Sequence, residues 1–521
     1  MVKWRAAVFA ALFLVASVGR TAADDVTLTS RDGSVEITGN LLSFDGEFYR
    51  VDTAYGVLTL DGSGVICDGP GCPDLTAYVA EVTLSGARTL GDVLMPALVE
   101  AFATRAGYGI ERQVTSDSDF RYVLTDAASG RPAARIGFRV TSTSEGFADL
   151  LANEADLVLS SRPATAQETA LAREAGLGDL TNPRRSRIVA LDALVPVVAA
   201  GNPLDGLTIQ GLARVFSGEI ETWAALGGPD APVALHLRDP ASGIAQDFVA
   251  RVLDPRGLDL APDVTRHLSN ETLADAVAAD PLAIGIVPLS AVGNAVPLAI
   301  NGPCGMSVRA APRTVKTEDY PLTLPLFVYA PARRLPVLVR EFLAFVRAPA
   351  AQPVIARAGF VDLRLDGVAV PAQGDRLMNA IAAGGGEVPL TELQRLVRAL
   401  RGTERLSLSF RFLPGGTRLD AHSLSNVDIL AGQLERGAFD GLPLTFVGFS
   451  DGDGPADANR RLAQRRAEAA RRAVLRAAPA ADRDALEISV EAFGEAMPVA
   501  CDEAEWGKRV NRRVEVWVDQ R

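Results

Sequence analysis

An acid in a glycine-rich turn, set fifteen residues before an arginine on a helix face, constrains this chain more than any other feature. Leu444 to Phe449 reads as an apolar strand that runs into Ser450-Asp451-Gly452-Asp453-Gly454, and a long Arg/Ala-rich helix follows. Along that helix Asn459, Leu462 and Arg466 are spaced i, i+3, i+7, so they line one face. A strand end thus presents the Asp451 carboxylate beside a helix that presents the Arg466 guanidinium. Such a pair can grip a zwitterion, with ammonium on one group and carboxylate on the other. From about residue 403 to the end the order reads strand, helix, strand, long helix, strand, helix, strand, which requires a compact α+β domain.

Two rival chemistries fail on the same residues. Gly448-x-Ser450-x-Gly452 fits the nucleophile-elbow formula, but no histidine follows Ser450, so the order Ser…Asp…His is impossible. Asp451-x-Asp453-Gly454 has the start of a calcium loop, yet the twelfth position is Leu462 where a glutamate is required.

With Gly454, Ala467 and the later Asn511-Arg512-Arg513-Val514, the pattern resembles the OmpA-like peptidoglycan-binding domain over about residues 403 to 519. The resemblance implies that Asp451 and Arg466 hold the diaminopimelate of the wall peptide, with Asn459 and Arg512 as further site residues. Arg512 reads equally as an internal salt-bridge partner. The chain departs from the family at Phe449, where His is common, and at Ala463, where Ser is common; neither touches the Asp451/Arg466 pair.

A chain of 521 residues exceeds one ordinary core. Its net charge of −12 argues against nucleic acid and anionic membranes as partners. Residues 1–23 carry Lys3 and Arg5, an apolar run from Ala6 to Val18, and small residues before Asp24, the pattern of a cleaved secretory signal peptide. An exported, oxidising setting suits the four cysteines. Cys67 and Cys72 bracket a turn short enough for a local bridge, leaving Cys304 and Cys501 paired across domains or free. The histidines His236, His267 and His422 show no ligand spacing, so no metal is expected. Residues 24–80 read as a small β module of short strands.

From 82 to 355 apolar strands alternate with amphipathic helices, an α/β pattern with room for two lobes. Three loops there place hydroxyls or glycine at a helix start: Ser85 to Gly91, Ser142 to Gly146, and Arg238 to Gly243. Each offers free backbone N–H groups and a positive helix end, and together they make an anion site. Each Ser or Thr taken singly is an ordinary N-cap.

Their order, with Gly211 to Trp223 and Tyr320-Pro321-Leu322, resembles the periplasmic phosphate-binding proteins of ABC transporters. The resemblance implies a two-lobed type II periplasmic-binding-protein fold. It places ligand contacts at Thr89, Leu90, Thr143, Ser161, Arg238, Ser242, Gly243 and Ile244. Where the family has an Asp that accepts the proton of hydrogen phosphate, this chain has Ser161 with Arg162 beside it; where the family has Thr, it has Ile244. Loss of that acceptor puts selection of phosphate over sulfate in doubt.

Residues 356–402 read as a linker marked by Gly384-Gly385-Gly386, with the OmpA-like βαβαβ-type domain from 403 to 521. The expected protein is a periplasmic phosphate or oxyanion receptor, not an enzyme and without cofactor. It would be held to peptidoglycan, with an ABC transporter permease as a further implied partner. The alternative is an envelope scaffold whose receptor-like domain binds no ligand.

Overall fold

The computed structural model describes residues 25–520 apart from 76, 77, 386, 414, 415 and 504, so the expected leader at 1–23 lies outside the described residues. The chain divides into two compact units, one made of the chain up to Ala80 with Leu335–Val337, the other of the remainder. The first unit is a five-stranded antiparallel sheet in which Val26–Ser30 pairs with both Glu36–Phe44 and Val65–Asp68. It packs on Val26, Leu28, Tyr49 and Val51, and a Cys67–Cys72 disulfide closes its last turn.

The second unit contains two domains. In the first, two long strands, Ser186–Val198 and Thr323–Tyr329, pair antiparallel and run between two lobes. One lobe adds Leu157–Ser160, Ala80–Ala87, Pro132–Thr141, Asp119–Asp126 and Tyr108–Val114; the other adds Ala283–Pro288, Ala234–Arg238 and Thr265–His267. Strands covered on both faces are buried throughout and mostly apolar, as in Leu157–Ser160 and Thr323–Tyr329, whereas Pro132–Thr141 alternates. Gly146 lets the helix Thr143–Leu151 seat against the strand below it, since a Cβ there would fall 2.7 Å from the Ser85 carbonyl oxygen.

The C-terminal domain is a five-stranded sheet in the order Gly367–Ala369, Thr403–Arg411, Arg513–Asp519, Leu444–Phe449, Ile488–Gly494. Helices Ala421–Glu435 and Ala456–Ala477 cover one face through Phe410, Leu430, Phe446 and Val474. The long helix comes close because its inner residues are alanines and because Gly448 has no Cβ to strike the Ala463 carbonyl. The stretch expected as a linker carries a strand and two helices, Gly374–Ala382 and Leu390–Leu400. Ala380, Leu396 and Leu400 pack with Phe449 and Trp517 on the sheet's other face. Among the described residues no helix is long and apolar enough to cross a membrane.

The two domains are joined by covalent and ionic contacts. Cys304 of the second lobe is disulfide-bonded to Cys501. Arg513, Glu515 and Trp517 alternate along one strand and so share a face, where Glu515 lies fully buried among Arg376, Arg405 and Arg513. Arg405 also reaches across to Asp319 at 2.7 Å, and Arg411 donates to the carbonyls of Thr317 and Glu318 at 3.2 and 2.9 Å. Lys316 binds Asp362 at 2.9 Å and Asp366 at 2.6 Å.

Burial alone would raise the pKa of Glu515, but the three arginines hold it down to about 2. A carboxyl with a depressed folded pKa stabilises the fold above its ordinary value of 4.5, and that contribution is lost as pH falls towards 2. The free energy of unfolding is therefore expected to fall over that window. Glu515→Gln, which leaves three buried arginines short of an anion, is expected to cost about 3–5 kcal/mol at pH 7 in urea titrations and to flatten the pH dependence.

Candidate functional site

The three hydroxyl-bearing loops meet between the lobes. Ser142 caps the helix Thr143–Leu151 with a reciprocal bond to Glu145, which leaves Thr143 in the first turn. Thr143 is buried, and its Oγ1 accepts the Ser161 backbone N–H at 3.2 Å. The two hydroxyl oxygens are 3.3 Å apart. Thr89 and Leu90 open the next helix of this lobe, and the Thr89 side chain makes no capping bond. Arg88 and Asp92 flank them, 3.6 Å apart, within electrostatic reach of Arg238.

From the second lobe Ser242 caps the helix Gly243–Phe248. Its Oγ accepts from the Ala245 N–H at 3.2 Å and donates to the Asp239 carbonyl at 2.9 Å. The Ser242 hydroxyl is therefore committed to the helix start, and the backbone N–H groups of Gly243 and Ile244 are the donors the loop presents. Gly243 sits where a Cβ would lie 3.1 Å from Ser161 Oγ, so the lobes approach closely here. Ile244 is buried and apolar.

Arg238, 3 % exposed, directs its donors to the carbonyls of His267 and Leu268, to Asn270 and to Asp239, at 2.7–3.3 Å. Burial pulls its pKa down, with Asp239 acting the other way. Arg162, beside Ser161 in sequence, grips Glu168 with both ends of its guanidinium at 2.8 and 2.9 Å and donates to Ser144 Oγ of the helix-start loop at 3.1 Å.

Sequence reasoning missed the residue that changes the chemistry of this site. Asp247, 5 % exposed, accepts from Ser161 Oγ at 2.7 Å, a bond between the lobes. Burial raises its pKa, against Arg251, Ser161 and Arg162. Because the Ser161 proton points to Asp247, the remaining lone pair on Ser161 Oγ is an acceptor. An acid thus reaches Ser161 from a helix of the other lobe. Gly243 and Asp247 are i, i+4 on one helix, and that spacing was the readable signal.

The C-terminal residues also converge. Asp451 accepts from Arg512 at 2.7 Å, and Arg512 also holds Glu505 at 2.9 Å. Burial opposes the charge on Arg512, but those two acids prevail and raise its pKa. Arg466, 3 % exposed, donates to the Gly416 carbonyl at 3.3 Å and lies over the Phe412 ring. Burial and Arg512 lower its pKa while Asp451 opposes them. Among the described residues its Nη1 and the Ser450 hydroxyl are buried without a hydrogen-bond partner, an arrangement that suits a polar ligand. Asn459 bonds back to the Gly454 carbonyl at 3.3 Å and braces the turn.

Two lobes on paired hinge strands, with helix-start loops meeting between them, define a two-lobed binding-protein domain. Residues 100–349 match the family model of the PBP superfamily domain and residues 411–512 that of the OmpA family, so the chain joins one to the other. It is 20% identical over 235 residues to the phosphate-binding protein PstS of Borreliella burgdorferi, covering 44% of this chain and 80% of that protein. It is 27% identical over 236 residues to the protein SphX of Synechococcus elongatus, covering 43% and 68%. A putative phosphate ABC transporter substrate-binding protein from Clostridium perfringens, solved with bound phosphate, is similar at a TM-score of 0.41 and 18% identity over 55% of this chain and all (100%) of that one. The peptidoglycan-associated lipoprotein of Burkholderia pseudomallei is similar at 0.19 and 24%, covering 21% of this chain and 88% of that one.

An acid whose folded pKa is raised loses stability as pH rises above its ordinary value, here 3.8 for Asp247. Asp247→Asn keeps an acceptor for Ser161 without the buried charge. It is expected to raise the thermal midpoint at pH 7.5 by a few degrees, and to leave it near wild type at pH 4.

Proposed function

We propose that this protein is a periplasmic receptor for a protonated tetrahedral oxyanion, hydrogen phosphate first among them, held non-covalently to peptidoglycan by its C-terminal domain. The observation that carries the first half is the bond from Ser161 to Asp247. It makes Ser161 Oγ an acceptor for a P–OH proton, and Thr143, the N–H groups of Gly243 and Ile244, Thr89, Leu90 and Arg238 surround the anion. Sulfate has no proton at neutral pH and would set a lone pair against that oxygen, a penalty of about 1–3 kcal/mol. The similarity to phosphate-binding proteins supports this assignment. A permease as recipient and export through the leader at 1–23 belong to the same reading.

The second half rests on Asp451, Arg466 and Arg512, a carboxylate and two guanidiniums placed for the zwitterionic end of diaminopimelate. Asn459 holds the turn. The non-catalytic reading agrees with the relatives, which are binding proteins.

One observation favours the scaffold alternative: the donors of Arg238 already meet protein acceptors. Calorimetric titration of the full chain with phosphate and then sulfate separates the two readings. Phosphate is expected to bind and sulfate to bind at least about tenfold more weakly; silence with both moves the conclusion to the scaffold. Asp247→Ala, which removes the acceptor for the Ser161 proton, is expected to narrow the preference by about tenfold. Arg466→Ala is expected to abolish sedimentation with purified sacculi and leave the phosphate titration unchanged.

A further inference from the structure

A cleft of about 1160 Å³ lies between the second lobe and the C-terminal domain, apart from the anion loops. Arg251 and Tyr320 line it from one domain; Arg509, Trp506, Phe412 and Glu505 line it from the other. Arg251 gives one donor to the Thr323 carbonyl at 2.6 Å. Among the described residues Arg509 makes no hydrogen bond or ion pair. Burial lowers the pKa of Arg509 and Arg251 adds to the effect, with Glu318 and Glu505 acting the other way. Two guanidiniums from separate domains thus face one space, where Glu318 and Glu505 offset part of their repulsion without bonding Arg509.

The cleft shares walls with the Asp451 site. Glu505 on its rim holds Arg512, which holds Asp451. Phe412 lines the cleft and carries the Arg466 guanidinium 5.5 Å above its ring. Phe412 and Glu505 thus belong both to the cleft and to the surroundings of Arg466 and Arg512, and the cleft's volume exceeds what a single amino acid needs.

We propose that this cleft receives the wall peptide beyond its diamino acid, with a peptide carboxylate gripped between Arg251 and Arg509. This inference rests on the wall-binding reading above. It makes the binding-protein domain part of the wall site rather than a passenger on it, and the Cys304–Cys501 bond keeps the two walls of the cleft together.

The test is calorimetry of the full chain with a soluble disaccharide–tetrapeptide containing diaminopimelate, and with the same compound amidated at its terminal carboxylate. Arg251 and Arg509 both keep solvent access in the cleft and neither belongs to a core, so Arg251→Gln and Arg509→Gln are expected to fold, checked by thermal midpoint. Each is expected to weaken the free-acid compound by about tenfold and to bind the amidated one no worse than wild type does. Wild-type affinity in Arg251→Gln, with Arg466→Ala inactive, overturns the cleft while leaving the wall reading intact. Undiminished binding by Arg466→Ala removes the wall reading itself.

Discussion

Glu515, fully buried among Arg376, Arg405 and Arg513, is the contact on which the arrangement of the second unit depends. An isolated carboxylate could not be buried there, and neither could the arginines; with Asp319 the cluster sets three positive charges against two negative ones. Because Asp319 belongs to the binding-protein domain and the rest to the C-terminal domain, the cluster fixes one against the other. Cys304–Cys501 and the Lys316 bonds lie on the same side, next to the second lobe. The first lobe contributes Arg347–Asp428, a half-exposed pair 3.2 Å apart and worth at most about 1 kcal/mol. The second lobe and the C-terminal domain are thus tied together more strongly than the first lobe is to either.

The same economy of charge governs the space between the lobes. Arg238 is saturated by carbonyls, Asn270 and Asp239, so its charge is set in place before any ligand arrives. Asp247 reaches the site through a hydroxyl from the opposite lobe, so the bond that polarises Ser161 also holds the lobes closed. A parting of the lobes would break it and take the Ser161 donor from the Asp247 carboxylate.

Much of this was legible in the sequence where local rules suffice. The strand–turn–helix around Asp451 was readable because strand periodicity, a glycine turn and an i, i+3, i+7 face are properties of neighbours in the chain. The helix-start loops at Thr89, Thr143 and Ser242 were readable for the same reason. Residues 367–400 were harder: their helices are short and polar outside, and their apolar faces make sense only once Trp517 and Phe449 lie opposite. Asp247 escaped notice because its partner is 86 residues away. The Arg405, Arg513 and Glu515 cluster looked like ordinary strand charges, since alternation marks one face as charged without saying that another domain covers it. The pairing of Cys304 with Cys501 is of the same long-range kind.

The central claim is that one chain holds an oxyanion while held to the wall, and equilibrium binding of labelled phosphate to washed sacculi carrying the full-length protein tests it most directly. The account predicts one phosphate retained per chain bound, lost together with the protein in Arg466→Ala and lost without the protein in Arg238→Ala. Sacculi that carry the chain but retain no more phosphate than bare sacculi would contradict it.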